Sequence, residues 1–250
     1  MELLKVDNLH KTFKKNKAPA VYGASFSIFK GEVLGLVGES GCGKSTLAKL
    51  ILRLIPADKG TIFYKGRDLL KTDYSDMRKM RKNLQIIFQD PYASLDPRMK
   101  IGNVIEEVYD IHKNAPGCDR RNKAIELLET VGLGESYLNR LPSELSGGER
   151  QRVGIARALA TEPEFIICDE PVSSLDISIQ AQILNLLIDI QKRKNLTYLF
   201  ISHDLGVIAS ICDRVIVMRS GEFVETGLCE NVFRNPQHDY TKELLRSAYV

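Results

Sequence analysis

Apolar and polar positions alternate over residues 3–9 and again over 24–29. That is the period-two signature of half-buried strands, and the stretch between them, 14–19, is turn-like. Residues 33–37, 165–168 and 197–201 are apolar without alternation. Runs so short and so continuous predict strands buried on both faces, as in a parallel sheet. Elsewhere the period becomes helical. Residues 45–54 place Leu47, Leu50, Ile51 and Leu54 on one face, and residues 147–160 carry Val153, Ile155, Ala156 and Leu159. Helices are also predicted over 101–109, 119–131 (with a break at 114–117) and 177–191. Residues 61–64 and 84–88 read as further strands, 75–82 as a basic amphipathic stretch, and 215–219 with 222–225 as a hairpin across Ser220-Gly221. A helical tail with a break at Pro236 runs over 231–248. Strands and helices so mixed, with buried parallel-type strands, predict an α/β fold.

The junction between the strand at 33–37 and the helix at 45–54 carries chemistry. Gly38-Glu39-Ser40-Gly41-Cys42-Gly43-Lys44-Ser45 fits the phosphate-loop spacing, with Thr46 following. Glycines at 38, 41 and 43 let the backbone turn tightly and aim successive N–H groups inward as an anion nest. The helix that follows presents its positive end to the same anion. Lys44 can reach the outer phosphates of a nucleotide and the Ser45 hydroxyl can hold a magnesium ion. The strand and helix flanks make this signal far stronger than a glycine-rich turn that happens to end in Lys-Ser.

Other features are weaker alone. Phe13 and Tyr22 precede the loop; either is suited to stack on a purine, and either fits as an ordinary sheet aromatic. Ser146-Gly147-Gly148 starts a helix with a good N-cap and two glycines, which makes either a second phosphate nest or simply a helix start. The strand at 165–168 ends in Asp169-Glu170, and the strand at 197–201 runs into Ser202-His203-Asp204. Both sit at the carboxyl edge of the predicted parallel sheet, where such folds bind ligands. Two acids there, in a chain with a phosphate loop, favour metal and water chemistry over mere helix capping; for the single His203, structural and functional roles both stand.

Composition sets bounds. A net charge of +3, with both signs interspersed, does not point to nucleic acid. The five cysteines (Cys42, Cys118, Cys168, Cys212, Cys229) have no metal-binding spacing, as expected of reduced thiols in a cytosolic protein. The N-terminus reads as a strand and not a secretory signal, and no apolar run approaches the ~20 residues of a membrane span. The expectation is a soluble chain that docks on other components.

Taken together, the motifs resemble the ATP-binding subunit of ABC transporters over nearly the whole chain. Leu145-Ser146-Gly147-Gly148-Glu149-Arg150-Gln151 is similar to that family's signature motif and lies, in the family's order, between the phosphate loop and the Asp169-Glu170 strand. Gln89 matches the Q-loop, Ser174-Leu175-Asp176 the D-loop and His203 the switch histidine. Phe13 best matches the aromatic stacking position, departing from the more usual tyrosine, with Tyr22 as second choice. The resemblance implies a RecA-like core with a parallel sheet, an N-terminal antiparallel β subdomain, and a helical subdomain (about 91–160) carrying the signature, all within one domain spanning 1–250 with a helical tail from about 228. It implies ATP and Mg²⁺ as ligands. Residues 38–46, Gln151 and Asp176 would contact nucleotide, as would Ser146, Gly147 and Gly148 from a head-to-tail partner ATPase. Ser45, Gln89 and Asp169 would hold the metal. Glu170 would act as general base, with His203 and Gln89 at the γ-phosphate and the attacking water.

The segments FQDPYASLDPRM (88–99), CDEPVSSLD (168–176), ISHDLGV (201–207) and HDYTKELL (238–245) resemble the oligopeptide, dipeptide and nickel import branch. Because the chain stops at Val250, soon after that last segment, it also resembles the shorter nickel-type or minimal peptide-type subunits, leaving peptide and metal both open. Partners so implied are a second ATPase, identical or related, integral membrane permease subunits and, indirectly, an extracytoplasmic solute-binding protein, placing the chain on the cytoplasmic face of the membrane. The loop at 92–99 is expected to be exposed, with Tyr92, Leu95 and Met99 either free to meet a permease helix or packed back on the helical subdomain, and with Pro91 and Pro97 limiting its freedom. A competing reading is the ATPase of a non-transport assembly such as phosphonate carbon–phosphorus lyase.

Overall fold

The structure, a computed structural model, describes residues 1–14, 18–112 and 119–248. Part of the expected turn at 14–19, the break at 114–117 and Cys118 lie outside the described residues.

In chain order, β1 (Glu2–Lys11), β2 (Val21–Phe29) and β3 (Val33–Val37) precede α1 (Lys44–Ile51), then β4 (Lys59–Tyr64) and β5 (Arg67–Asp68). Next come α2 (Tyr74–Met80), β6 (Leu84–Ile87), α3 (Pro91–Ser94), α4 (Ile101–His112), α5 (Arg120–Thr130) and α6 (Gly147–Leu159). The remainder is β7 (Phe165–Asp169), α7 (Ile177–Lys194), β8 (Thr197–Ser202), α8 (Leu205–Ile211), β9 (Arg214–Arg219), β10 (Glu222–Leu228), α9 (Cys229–Arg234) and α10 (Asp239–Ala248). The chain forms two compact units: Met1–Arg78 with Asn195–Val250, and Lys79–Lys194.

The first unit holds an antiparallel sheet in the order β2-β1-β4-β5 and the strands β10-β9-β3-β8. β1 does not keep the strict alternation of its sequence. Leu3 and Leu4 are both buried, and the register to β2 shifts at Glu2/Leu4 and again at Val6/Leu9. Asn8 takes up one irregularity with φ 46°, a left-handed conformation that Asn tolerates better than most residues. β3 is buried throughout and pairs in parallel with β8 (Val37↔Ser202) and β9 (Val37↔Val217). The continuous apolar run at 33–37 is thereby explained: with neighbours on both edges and covered faces, no position is free to be polar. Asp213 caps the strand's start, accepting the Val33 N–H at 2.8 Å. α1 is shorter than its periodicity suggests. It buries Leu47, Leu50 and Ile51, but ends there, and Leu54, expected on the same face, is 49 % exposed. Arg53 at φ 50° breaks the helical path before Leu54 is reached, and its guanidinium donates to the Leu69 and Thr72 carbonyls.

In the second unit β6 and β7 pair in parallel, Leu84↔Phe165 to Ile87↔Cys168. β7 is again buried throughout. Helices α4, α5 and α6 bury Ile101, Ile105, Leu128, Val153 and Ile155. The stretch after β6 departs from the expected open loop. Residues 91–94 form a helical turn, started by the Asp90 carboxylate accepting the Tyr92 N–H at 2.8 Å. That turn points Leu95 inward, where it is only 3 % exposed, so Leu95 is a core residue and not an external contact. Met99 is half-buried; of the three apolar residues only Tyr92 is exposed.

Leu36 is fully buried between Ile201 and Ile216 in the register of β3. Leu36→Ala should lower folding stability by about 2–5 kcal/mol, the usual cost of a core cavity, as read from urea denaturation followed by circular dichroism; a loss under about 1 kcal/mol would mean that the strand's surroundings collapse into the space.

Candidate nucleotide site

In the first unit the loop after β3 is shaped by its glycines. A Cβ on Gly38 would stand 2.1 Å from the Met218 carbonyl oxygen, and one on Gly43 would stand 2.1 Å from that of Ala20. Gly41 and Gly43 also have φ of 83° and 114°. No side chain fits at 38 or 43, so the loop can pass close under Ala20 and Met218. Gly221 anchors it from the β9–β10 turn, its N–H donating to the Cys42 carbonyl at 2.8 Å. Gly43, in the left-handed conformation, is the cap residue of α1 and has no side chain to make a cap bond. Lys44 is 4 % exposed; its ammonium donates to the carbonyls of Gly38 (2.7 Å) and Glu39 (3.0 Å) and lies 4.0 Å from the Cys42 sulfur. Burial pushes the Cys42 thiol up against the opposing pull of Lys44, so it stays protonated. Ser45 and Thr46 occupy the first turn of α1. The parallel register puts Val37 beside Ser202, so the loop and His203 leave adjacent strand ends; His203 is exposed. Phe13 follows β1 at 36 % exposure, with the Lys11 ammonium 5.7 Å from its ring centre. Tyr22 is more exposed and meets the His10 ring edge-on at 5.0 Å. Sequence reading missed Asp58, which holds the approach to Phe13 by accepting from Lys11 Nζ (2.9 Å) and the Thr12 N–H (2.6 Å).

The second unit brings the acids and the signature segment into defined geometry. Asp169 and Glu170 end β7 at 5 % and 8 % exposure. Glu170 has φ 49°, a strained conformation for a residue with a Cβ, of the kind that clusters at functional sites. Its carboxylate accepts from the Gln89 side-chain amide at 3.2 Å, because β6 and β7 run in parallel and end together. Ser146 caps α6 reciprocally with Glu149: the Glu149 N–H donates to Ser146 Oγ at 3.3 Å, and the Ser146 N–H donates to the Glu149 carboxylate at 2.7 Å. The Tyr137 hydroxyl closes the arrangement on Glu149 at 2.5 Å. Gly147 and Gly148 lie against the segment after β7. A Cβ at Gly148 would stand 2.6 Å from Ile179 Cγ2, and one at Gly147 3.2 Å from Leu175 Cδ2. The glycines therefore serve close packing, which spacing alone did not reveal. Gln151 is 1 % exposed, and its side-chain nitrogen has no hydrogen-bond partner among the described residues. Asp176 is exposed and starts α7, its carbonyl accepting the Gln180 N–H at 2.8 Å.

A buried lysine in a glycine loop at a helix start, in the first unit, is the arrangement of a phosphate-loop nucleotide-binding protein of the α/β class. Comparison with known proteins narrows this. Residues 21–173 match the family model described as ABC transporter. The oligopeptide transport ATP-binding protein OppF of Bacillus subtilis is 50% identical over 248 residues, covering 98% of this chain and 81% of that protein. The dipeptide transport ATP-binding protein DppF of Haemophilus influenzae is 47% identical, covering 94% and 72%. Among solved structures, the dimeric ATP-binding cassette MJ0796 in a post-hydrolysis state with ADP and Pi superposes with a TM-score of 0.81 at 29% identity, covering 91% of this chain and 99% of that one. CbiO1 of Clostridium perfringens, part of the ABC transporter complex cbiONQ, also reaches 0.81 at 29%, covering 98% and 94%. The chain belongs to the ABC transporter family, as one of its ATPase subunits.

Glu149 is held below its ordinary range of 4.5, first by the Tyr137 hydroxyl and then by the Ser146 N–H. A folded pKa below the unfolded one gives stabilisation that is complete above the unfolded value and lost as pH falls through the folded one. Glu149→Gln cannot titrate. The gap in urea midpoint between wild type and variant should therefore be largest near neutrality and close as pH falls from about 6 to about 3; a gap independent of pH would contradict the ionised cap.

Proposed function

We propose that this chain is the ATP-binding and ATP-hydrolysing subunit of a peptide importer, working on the cytoplasmic face of the membrane beneath permease subunits. One observation carries the reading: transport ATP-binding proteins named for oligopeptides and dipeptides are 47–50% identical to it along at least 94% of its length. They support peptide transport and lend nothing to a carbon–phosphorus lyase role. No helix among the described residues is long and apolar enough to cross a membrane, so on this reading membrane attachment comes through partners.

The residues present fit MgATP. At 38 and 43 the loop leaves room only for backbone, an arrangement suited to an anion nest. On this reading residues 38–46 hold the phosphates through backbone amides, Lys44 exchanges its loop carbonyls for phosphate oxygens, and Phe13, or failing it Tyr22, stacks on the base. Ser45, Gln89 and Asp169 are the residues that would hold Mg²⁺, which when bound neutralises charge on the β- and γ-oxygens. Glu170 takes a proton from the attacking water. Its strained backbone and the Gln89 amide aim the carboxylate, and Gln89 relays its position to the segment at 90–99. His203 contacts the γ-phosphate. A second ATPase chain, a copy or a relative, pairs head to tail and offers its own Ser146, Gly147, Gly148, Gln151 and Asp176 equivalents to the same nucleotide. Positioning and charge neutralisation supply most of the rate.

Glu170→Gln is nearly isosteric but cannot accept the proton. In the assembled transporter it should bind MgATP while hydrolysing it about 10²–10⁴ times more slowly, and labelled-peptide uptake by cells should be lost; hydrolysis at the wild-type rate would remove the base assignment, and undiminished peptide uptake would remove the transport role.

With Leu95 in the core, Tyr92 is the apolar residue left to receive a permease helix, and its ring carries the Arg150 guanidinium 5.0 Å away on the signature helix. Contact at Tyr92 would thus be felt at α6. Tyr92→Ala should leave basal hydrolysis by the purified chain within about twofold, as for a surface change, yet abolish stimulation by the permease, and Arg98→Cys should crosslink to the permease's cytoplasmic loops. Full stimulation in the variant, with no crosslink, would place the docking surface elsewhere.

A further inference from the structure

The C-terminal segment has no part in the roles assigned so far, yet it is built into the first unit. The Glu225 carboxylate, on β10, accepts the N–H groups of Gln237 (2.8 Å) and His238 (3.0 Å), and His238 Nδ1 accepts the Tyr240 N–H at 3.1 Å. These bonds fix the entry to α10 and turn Tyr240 inward, where it is 2 % exposed. The Arg219 guanidinium lies 4.7 Å from the centre of its ring. Its hydroxyl accepts the N–H of Glu39, in the phosphate loop, at 3.2 Å across 201 positions of sequence. Burial holds the phenol above its ordinary ionisation range, so the oxygen is a neutral hydroxyl.

The peptide so held matters. Glu39 is the first residue after the Gly38 turn, and the carbonyls of Gly38 and Glu39 are the ones that carry Lys44 Nζ. The Glu39 carbonyl also accepts the Cys42 N–H at 3.3 Å. On one side Gly38 is pressed against the Met218 carbonyl, the residue before Arg219. The other anchor of this turn is the Tyr240 hydroxyl. Without that hydrogen bond the turn at the loop's entry is freer to rotate, and with it the carbonyls that place the lysine.

We propose that Tyr240 is a positioning residue of the nucleotide site: its hydroxyl fixes the first turn of the phosphate loop, making the C-terminal helix a working part of ATP binding. The inference rests on the ATP-binding reading above. It assigns Tyr240 an effect on nucleotide affinity and none on the hydrolytic step, because the hydroxyl touches the loop backbone and no reacting atom.

Tyr240→Phe in the full-length chain removes one oxygen and keeps the ring against Arg219. Calorimetric titration with MgATP should give a Kd about 3–10-fold weaker, the worth of one neutral hydrogen bond. The KM for ATP should rise in parallel while kcat at saturation stays within about twofold, and the Glu39 amide should exchange with solvent at least about tenfold faster. A purely structural role would lower the melting temperature and the active fraction at unchanged KM, and that result overturns the proposal. So does a wild-type Kd with unaltered Glu39 exchange. Should the variant fold poorly, the wild-type chain still decides: without nucleotide its Glu39 amide should exchange at least about a hundredfold more slowly than in an unfolded peptide, and lack of protection overturns the proposal. Wild-type protein that binds no MgATP would refute the ATP-binding reading itself and this inference with it, whereas an unchanged Kd in Tyr240→Phe refutes the inference alone.

Discussion

β3 is the strand on which the first unit depends. Its five residues are buried, and it is hydrogen-bonded in parallel on both edges, to β8 and β9. A strand so enclosed cannot slip by one residue without moving every ladder bond and turning every side chain to the opposite face. The point where it ends is therefore rigid, and there the chain must turn into α1. The glycine loop is the solution to that turn, held by Ala20, Met218, Gly221 and Tyr240, contributed by β2's approach, the β9–β10 hairpin and the C-terminal helix. A rigid strand end and a loop clamped from several sides leave the turn little freedom, and on the ATP-binding reading proposed above this lowers the ordering cost of binding.

The second unit applies the same device to acids. β6 and β7 run in parallel and finish together, so Gln89 and Glu170 meet although 81 positions separate them. Glu170 adopts a backbone conformation that costs of order 1–3 kcal/mol for a non-glycine residue. Such strain persists only where its surroundings over-determine it, and here a buried strand precedes it while the Ser173 N–H and hydroxyl bond its carbonyl. The signature helix is likewise fixed from outside itself, by Glu149 between Ser146 and Tyr137 and by glycines packed on Leu175 and Ile179. In both units the chemistry-bearing groups sit on short, stiff connections at the ends of buried elements.

Much of this was legible in the order of residues. Buried strands at 33–37, 165–169 and 197–202 announce themselves because a strand covered on both faces is apolar along its middle, with polar residues (Asp169, Thr197, Ser202) only at its ends, and the runs at 33–37, 165–168 and 198–201 record that directly. The phosphate loop is legible because only glycine fits where a Cβ would strike the Met218 or Ala20 carbonyl, and only a lysine offers a long point charge there. Ser146 is legible as a cap because the reciprocal Ser–Glu spacing is local. Information carried by neighbours within a few positions survives in one dimension.

What depended on distant partners did not. The length of α1 was decided by Arg53 reaching the Leu69 and Thr72 carbonyls, which left Leu54 outside the core. Leu95 became a core residue because a helical turn at 91–94 redirected it, though its composition matched that of its exposed neighbour Tyr92. Tyr240 read as one aromatic in a helical tail, and only the folded chain brings its hydroxyl to the Glu39 amide. The sequence alone thus determined where the phosphate-loop spacing, the Ser–Glu cap and the buried strands fall, because propensity and spacing are local. The tertiary structure alone decided which of them are held, by what and how firmly, because hydrogen bonds and packing between residues far apart in the chain exist only after it has folded.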